Sequence, residues 1–249
     1  MVENGFITAD QATAAKQSAL TIKPTSDNTK VHAEYVAEMV RQLMYAQYGD
    51  ETYTRGLNVY TTVRMADQVA ATRALRKGLM DYDRRQAWRG PEAFIDLPAD
   101  PRQTDVRVAE ALEDHPESDT LYAAVVLSAS PKLVTLLMQN GDSIDVGPEG
   151  LRGLTAALSA QAQPKQQIRR GAVVRVTQTG PDKKWQIVQM PEVEGALVSI
   201  DPRTGAVRAM AGGFDFGRNK FNHVTQAWRQ PGSSFKPFIY SAALQKGFT

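Results

Sequence analysis

The sequence has no cysteine and only three histidines, and both shortages narrow the chemistry open to it. Without thiols it can build neither a disulfide framework nor a thiolate metal site. The histidines, His32, His115 and His223, lack the paired spacing of a zinc-binding helix, so each is expected to be an ordinary surface or hydrogen-bonded residue. We therefore predict no metal site and no cofactor.

Strong charge and long apolar runs are also missing. A net charge of +2 is too small to indicate a nucleic-acid partner, which requires a concentrated basic face. No apolar run reaches the roughly 18 residues of a membrane span, and the start lacks the features of a signal peptide, so the chain as written is expected neither to span nor to enter a membrane. Its 249 residues, 22% charged and 42% hydrophobic, are typical of a folded chain of one to three domains.

Helix signals dominate the first 90 residues. Thr8 and Gln11 form a capping-box pattern, which predicts a helix running to about residue 20. Apolar residues at 36, 39, 40 and 43 mark one face of a second helix, which should end at Gly49. Residues 56–63 are β-branched and aromatic and predict a strand, and the proline-free run 65–80 predicts a helix.

Short strands separated by turns follow. Five candidates alternate with turn sequences such as Asn140-Gly141-Asp142 and Gly180-Pro181-Asp182. The candidate strands cover residues 122–127, 133–138, 143–146, 172–176 and 185–190. Five short strands favour a small barrel of the OB type. The segment 151–167, rich in Ala and Gln, is interpreted as a helix or a mobile arm.

A hairpin and a short helix complete the chain. Residues 195–200 and 206–210 flank Asp201-Pro202-Arg203-Thr204-Gly205, a turn with Pro and Gly in favoured places. The fold class predicted is therefore α+β, with a helical N-terminal segment and linker, an OB-like barrel insert, and a hairpin leading to a final helix.

One motif carries catalytic chemistry: Ser233-Ser234-Phe235-Lys236, a Ser-x-x-Lys. A serine hydroxyl is a poor nucleophile until a base removes its proton, and a spacing of three residues places an amine on the same helical turn. A lysine acts as that base only where burial or nearby cations disfavour its ammonium form. Ser233 at a helix N-terminus would also direct free backbone N–H groups towards a developing oxyanion. Because the motif is short, an N-capped surface helix is the competing interpretation.

Two other segments imitate the motifs that accompany Ser-x-x-Lys in penicillin-reactive enzymes, Ser-x-Asn and Lys-Thr-Gly. Ser26-Asp27-Asn28 matches the first and Arg203-Thr204-Gly205 resembles the second. Both precede Ser233, whereas the fold supplies these motifs from later segments, and a loop and a hairpin turn explain them locally. We predict that neither is catalytic.

The context of Ser233 carries a resemblance to a known family. Residues 229–244 (RQPGSSFKPFIYSAAL) and 195–213 (GALVSIDPRTGAVRAMAGG), with Phe221 and Asn222, resemble the opening of the transpeptidase domain of class A penicillin-binding proteins. Residues 56–63, 73–78, 82–83 and 89–91 resemble that family's interdomain linker, and residues 1–8 the last helix of its glycosyltransferase domain.

The resemblance implies an order of domains and an internal fragment of a longer enzyme. Residues 1–48 would be the end of the glycosyltransferase domain with a linker helix, and 49–90 a strand-helix linker. Residues 91–191 would be the OB-like insert, and 192–249 the start of the transpeptidase domain. Ser-x-Asn and Lys-Thr-Gly would lie beyond Thr249, and the glycosyltransferase glutamates and the membrane anchor before Met1.

The resemblance also implies a function. Ser233 would be the acylated nucleophile and Lys236 its general base in a serine-type D-Ala-D-Ala transpeptidase joined to a glycosyltransferase. Partners would be peptidoglycan stem peptides and glycan strands, β-lactams, and an outer-membrane lipoprotein activator, with no nucleic acid. The enzyme would work on the periplasmic side of the inner membrane, and only an anchor outside this fragment would bind it to the membrane. The fragment itself would be inactive.

Two other classes of function stay open for the insert. As an interaction module it would dock a regulator or a glycan chain, with its role set by its surface. Binding of single-stranded nucleic acid ranks last, because that needs aromatic platforms beside a basic groove. The candidate strands offer only Tyr122 and Trp185 as aromatics.

Overall fold

Helices form the first part of the computed structural model, which describes residues 1–2, 4–17 and 31–248. They are α1 (Ala9–Gln17), α2 (Glu34–Tyr48), α3 (Glu51–Thr54) and α4 (Met65–Asp83). The predicted capping box is confirmed: Thr8 N donates to Gln11 Oε1 at 2.9 Å, and Gln11 N donates to Thr8 Oγ1 at 3.2 Å. The predicted end of α1 near residue 20, and Ser26-Asp27-Asn28, lie outside the described residues.

The second helix and the linker helix are where the sequence predicts them. α2 ends at Gly49, whose φ of 55° is one that glycine adopts readily. α4 covers the predicted run and continues three residues further, to Asp83. Within the described residues, no helix combines the length and the apolar character needed to cross a membrane.

The predicted strand at 56–63 is wrong. This segment is extended but joins no sheet, and Tyr60 is 93% exposed. Its end touches the hairpin, where Thr62 Oγ1 donates to Val207 O at 2.8 Å. Just after the segment, Arg64 N donates to Arg208 O at 2.9 Å. Strand propensity reflects packing on a half-buried pleated surface, whereas residues 56–62 are all exposed.

An antiparallel sheet forms the insert. It contains β1 (Ala93–Phe94), β2 (Tyr122–Ala129), β3 (Val134–Met138), β4 (Ser143–Val146), β5 (Ala172–Thr179) and β6 (Lys184–Val188). The strand order is β1-β5-β2-β3-β4, and β6 also pairs with β5. All five predicted strands are confirmed. β1 and the helix α5 (Pro101–Leu112) are not predicted from the sequence.

Both faces of this sheet are buried. One face encloses the barrel core, to which Ala124, Val126, Leu136 and Val174 belong. The opposite face, with Ala123, Val125, Leu137 and Val173, is covered by Val108 and Leu112 of α5. Alternate residues of one strand therefore enter two separate cores, as the two-residue period of a strand requires.

The segment 151–167 is neither the helix nor the mobile arm that its composition suggested. It runs as consecutive turns against the barrel core, where Leu151, Leu154 and Leu158 are buried. Gly153 adopts φ 83°, a left-handed conformation that interrupts any helix at this point. Buried leucines then hold the turns in place.

The last part of the chain has a hairpin and a helix, as predicted. β7 (Leu197–Ile200) pairs antiparallel with β8 (Val207–Ala211), and α6 (Lys236–Gln245) follows a 3-10 turn, Gly232–Phe235. Gln68 of α4 docks against the outer edge of β8: its Oε1 accepts from Met210 N and its Nε2 donates to Met210 O, both at 2.9 Å. A side-chain amide thus takes the place of a neighbouring strand.

Candidate functional site

Ser233 and Lys236 lie on one turn at the start of α6. Ser233 belongs to the 3-10 turn, Lys236 is the first residue of α6, and the Lys236 backbone N–H donates to the Ser233 carbonyl. Lys236 has helical dihedrals (φ −55°, ψ −40°) even though Pro237 follows it. Gly232, at φ 52°, supplies the left-handed residue that lets the chain turn into the helix.

The two side chains share a turn but are not bonded to each other. Both residues are exposed, and among the described residues neither side chain makes a hydrogen bond or an ion pair. The nucleophile and base roles of Ser233 and Lys236 therefore stay predictions. In catalytic sites such bonds often form only when substrate is bound.

α6 presents an apolar surface. Phe238, Ile239, Tyr240 and Leu244 are each more than half exposed, and within the described part of the chain α6 packs on no element except the 3-10 turn before it. Helix α6 has apolar residues around much of its circumference, which is typical of a helix buried inside a larger domain.

The segment between β8 and Ser233 is ordered by its own polar contacts. Asn222 is buried, its Oδ1 accepts from Val224 N at 3.0 Å, and its backbone N–H donates to Gln226 Oε1 at 2.6 Å. His223 N donates to Gly212 O at 2.8 Å. A Cβ at Gly212 would lie 2.5 Å from Asn222 Oδ1, so this close approach requires glycine. The chain that leads to Ser233 is thereby tied to the end of β8.

A cluster of charged side chains around buried Arg175 lies at the junction of the insert and the later segment, beside a cavity of about 510 Å³. Arg175 of β5 binds both carboxylate oxygens of Glu92, at 2.8 and 2.9 Å, and His115 Nδ1 lies 2.8 Å from Glu92 Oε2. Burial raises the pKa of Glu92, but the bonds from Arg175 and His115 outweigh it and leave the pKa below its ordinary value. The cluster joins residue 92 at the insert's start to β5.

The other two histidines and the segment that resembles Lys-Thr-Gly bond to neighbouring groups. His32 lies 3.8 Å from carboxylates of Glu34 and Asp119, and His223 Nδ1 lies 2.8 Å from Gly212 O. Arg203-Thr204-Gly205 forms the hairpin turn, with Arg203 N and Thr204 N donating to Asp201 Oδ1. Within the described ranges, no group of three residues is arranged to hold a metal ion.

The aromatic pair of the insert faces its core. Tyr122 and Trp185 pack edge to face with ring centroids 5.8 Å apart, and both rings rest on the barrel core. Such rings are structural, whereas a stacking platform for bases needs an open ring face.

Comparison with known proteins identifies the parts of the chain. A family model described as "Penicillin-binding protein OB-like domain" matches residues 88–193. Another, "Penicillin binding protein transpeptidase domain", matches residues 195–249. The chain belongs to the class A penicillin-binding proteins, and the predicted fold class, an OB-like domain followed by the start of a transpeptidase domain, is confirmed.

Relatives that align with the entire chain are named penicillin-binding protein 1A. The protein of Neisseria lactamica is 44% identical over 250 residues, which cover 100% of this chain and 31% of that protein. The Escherichia coli K12 protein is 36% identical over 255 residues, with 100% and 30% covered. A crystal structure of penicillin-binding protein 1A from Haemophilus influenzae matches with a TM-score of 0.79 at 32% identity, covering 100% of this chain and 35% of that one. The chain thus spans about a third of the length of these relatives.

Proposed function

We propose that this chain is part of a peptidoglycan synthase that cross-links stem peptides through an acyl-serine at Ser233. The observation that carries the proposal is a Ser-x-x-Lys on one turn, Ser233 to Lys236, at the start of α6, in a region that a transpeptidase family model matches. By itself the motif is weak, and its place after the β7–β8 hairpin in a class A chain gives it weight.

The chemistry is acyl transfer in two steps. Lys236 takes the proton of the Ser233 hydroxyl, whose oxygen attacks the carbonyl of the penultimate D-Ala. The peptide bond to the terminal D-Ala then breaks, and that D-Ala leaves with a proton. An amine from a neighbouring stem peptide next attacks the acyl-serine, forms a new amide and releases the serine. A β-lactam would acylate the same oxygen and leave a stalled ester.

Labelling with a fluorescent penicillin tests the proposal in the complete gene product. We expect one adduct, mapped by mass spectrometry to Ser233 and absent from Ser233→Ala. The matched control is Ser234→Ala, the adjacent serine, which should label like the wild type. Lys236→Arg keeps the positive charge but cannot serve as a base at neutral pH, so it should label poorly. An adduct that persists in Ser233→Ala would refute the assignment.

The 249-residue polypeptide itself is proposed to be inactive. Loss of one oxyanion donor costs about 10²- to 10³-fold in rate, and residues that act as a unit fail together. A polypeptide without the Ser-x-Asn and Lys-Thr-Gly motifs after Ser233 should therefore not turn over. Efficient labelling of Ser233 in this polypeptide would contradict this part of the proposal.

Partners and location follow from the same proposal. The complete enzyme would act on stem peptides and glycan strands, with a glycosyltransferase alongside the transpeptidase, and would bind β-lactams. It would work on the periplasmic side of the inner membrane, held by an anchor outside these residues, with an outer-membrane lipoprotein as activator.

A second candidate function concerns the insert as a docking module for a regulator or a glycan chain. Two cores of its own hold the insert together, and it carries neither Ser233 nor Lys236. Its two ends meet, since Arg89 Nη2 donates to Met190 O at 2.6 Å, so residues 91–191 can be replaced by a short linker. A pulldown would compare this deletion variant with the wild type. If the variant captured the regulator and the glycan strands as well as the wild type does, the docking function would be contradicted.

A further inference from the structure

Arg76 of α4 is a buried side chain that joins the insert to the segment after the hairpin. It is only 9% exposed, and its guanidinium donates from Nη1 to Phe214 O and from Nη2 to Ser118 O, each at 2.7 Å. The guanidinium also lies over the Phe214 ring, 4.1 Å from the centroid, and 3.5 Å from an oxygen of Asp119. Burial lowers the pKa of Arg76, and Asp119 and Asp215 oppose that effect.

The two carbonyls that Arg76 holds belong to different regions of the chain. Ser118 lies in the insert, in the loop before β2, and Phe214 comes three residues after the end of β8. A further hydrogen bond runs between the same two segments, from Ser118 Oγ to an oxygen of Asp215. Asp119, next in the loop, adopts φ 55°, which is unusual for a residue with a side chain and is stabilised by its surroundings.

A series of contacts runs from Phe214 to His223, ten residues before the nucleophile. Phe214 N donates to Glu194 Oε2 at 3.1 Å, and the preceding glycines pack closely against Tyr35, whose hydroxyl donates to Asn219 O at 2.6 Å. Gly212 O accepts from His223, after which the chain runs through residues 224–232 to Ser233. The Arg76 guanidinium thus helps to fix the base of the segment carrying Ser233 relative to α4 and the insert.

We propose that Arg76 is a positioning residue for acylation at Ser233, and that it makes this reaction depend on the placement of the insert. The proposal rests on the proposed function of Ser233. Arginine suits the role because its planar fork can reach two carbonyls with fixed geometry, whereas a lysine ammonium is a single point charge on a flexible stem. A shift of about 1 Å at a reacting group can cost about 100-fold in rate, so a remote anchor has kinetic consequences.

The test is a kinetic comparison of penicillin acylation in the complete gene product. Saturation of the rate with penicillin separates the half-saturating concentration from the limiting first-order rate. We expect Arg76→Lys to lower the limiting rate by about 10- to 100-fold, with half-saturation changed by less than about 3-fold. The matched control is Arg73→Lys, an exposed arginine one turn earlier on α4, which should match the wild type.

A milder variant keeps the test decisive if Arg76→Lys fails to fold. Ser118→Ala removes the Oγ bonds to Asp215 and Arg76 but leaves the Ser118 carbonyl, and it should slow acylation in the same way to a smaller extent. A folded Arg76→Lys with a wild-type limiting rate would overturn the proposal, as would a wild-type rate in Ser118→Ala where Arg76→Lys is unfolded. If the wild type itself carries no label at Ser233, the proposed function fails instead.

Discussion

Replacing Gln68 by Leu should detach the hairpin from α4. Gln68 is fully buried, and its amide makes three hydrogen bonds to backbone groups: to the N–H and the C=O of Met210, and from Nε2 to His32 O, all at 2.9 Å. Leucine has a similar volume, so the change leaves little cavity but removes every one of these bonds. Met210 is itself buried, and its N–H and C=O would lose the partner that Gln68 provides.

The expected loss of stability follows from the bond count. A hydrogen bond contributes about 1 kcal/mol net, and an unpaired buried group costs about 1–3 kcal/mol. Three bonds therefore give a loss of about 3 kcal/mol. At about 2–4 °C per kcal/mol for a chain of this size, Tm should fall by about 6–12 °C. Gln68→Glu should lose at least as much, because a carboxylate cannot donate to the two carbonyls.

Two measurements check this prediction in the 249-residue chain. Calorimetry gives the change in Tm. Amide hydrogen exchange shows whether the Met210 N–H loses more protection than other amides, which a uniform loss of stability would not produce. The control is Gln42→Leu on α2, an exposed glutamine whose amide bonds to Glu38, and its Tm should match the wild type. Unchanged Tm and unchanged Met210 protection in Gln68→Leu would refute the reasoning.

Two further predictions concern the insert. Gly150→Ala should lower the stability of the insert by about 1–3 kcal/mol, because the new Cβ would lie 2.2 Å from the Trp185 carbonyl oxygen. The control is Gly147→Ala, which has open space around the new Cβ and should be neutral. Trp185 fluorescence during thermal unfolding gives the Tm of both variants, and equal values would contradict the packing argument. The pKa of Glu92 is lowered from its ordinary value of 4.5. The ion pair between Glu92 and Arg175 therefore adds stability at a pH above 4.5, and this stability is lost as the pH falls through the lowered pKa. The Tm advantage of the wild type over Glu92→Gln should therefore shrink between pH 6 and pH 2, and a constant difference would argue against it.

Local sequence signals were sufficient to predict those helix ends and turns whose structure depends on neighbouring residues alone. The capping box of Thr8 and Gln11, the stop at Gly49, and the turn at 201–205 all depend on neighbours within a few residues. α5 carried such a signal as well and was overlooked: Asp100 Oδ1 accepts from Arg102 N at 3.0 Å, and Pro101 is the first helical residue. An Asp-Pro start with apolar residues at 108 and 112 is recognisable in the sequence.

Tertiary partners decided the elements that were predicted wrongly. Residues 56–63 have strand composition but find no neighbouring strand, since the Gln68 amide already occupies part of the outer edge of β8. The segment 151–167 has helical composition, yet Gly153 and a row of buried leucines favour turns against the barrel. The site is intermediate: the sequence predicts that Ser233 and Lys236 share a turn, but whether the amine reaches the hydroxyl depends on groups that surround both.

The buried face of α4 explains why the proline-free run 65–80 could place this helix but not dock it. Its buried positions are largely polar, and they include Gln68, Thr72, Arg76 and Asp83. Their partners are mainly backbone groups and one arginine: Gln68 binds the edge of β8, Arg76 two carbonyls, and Asp83 the guanidinium of Arg89 at 3.0 and 3.2 Å. Such bonds are directional, whereas apolar contacts tolerate sliding. A shift of α4 by one turn, about 5.4 Å, would leave all three unpaired, so the polar face fixes the register between linker, insert and hairpin.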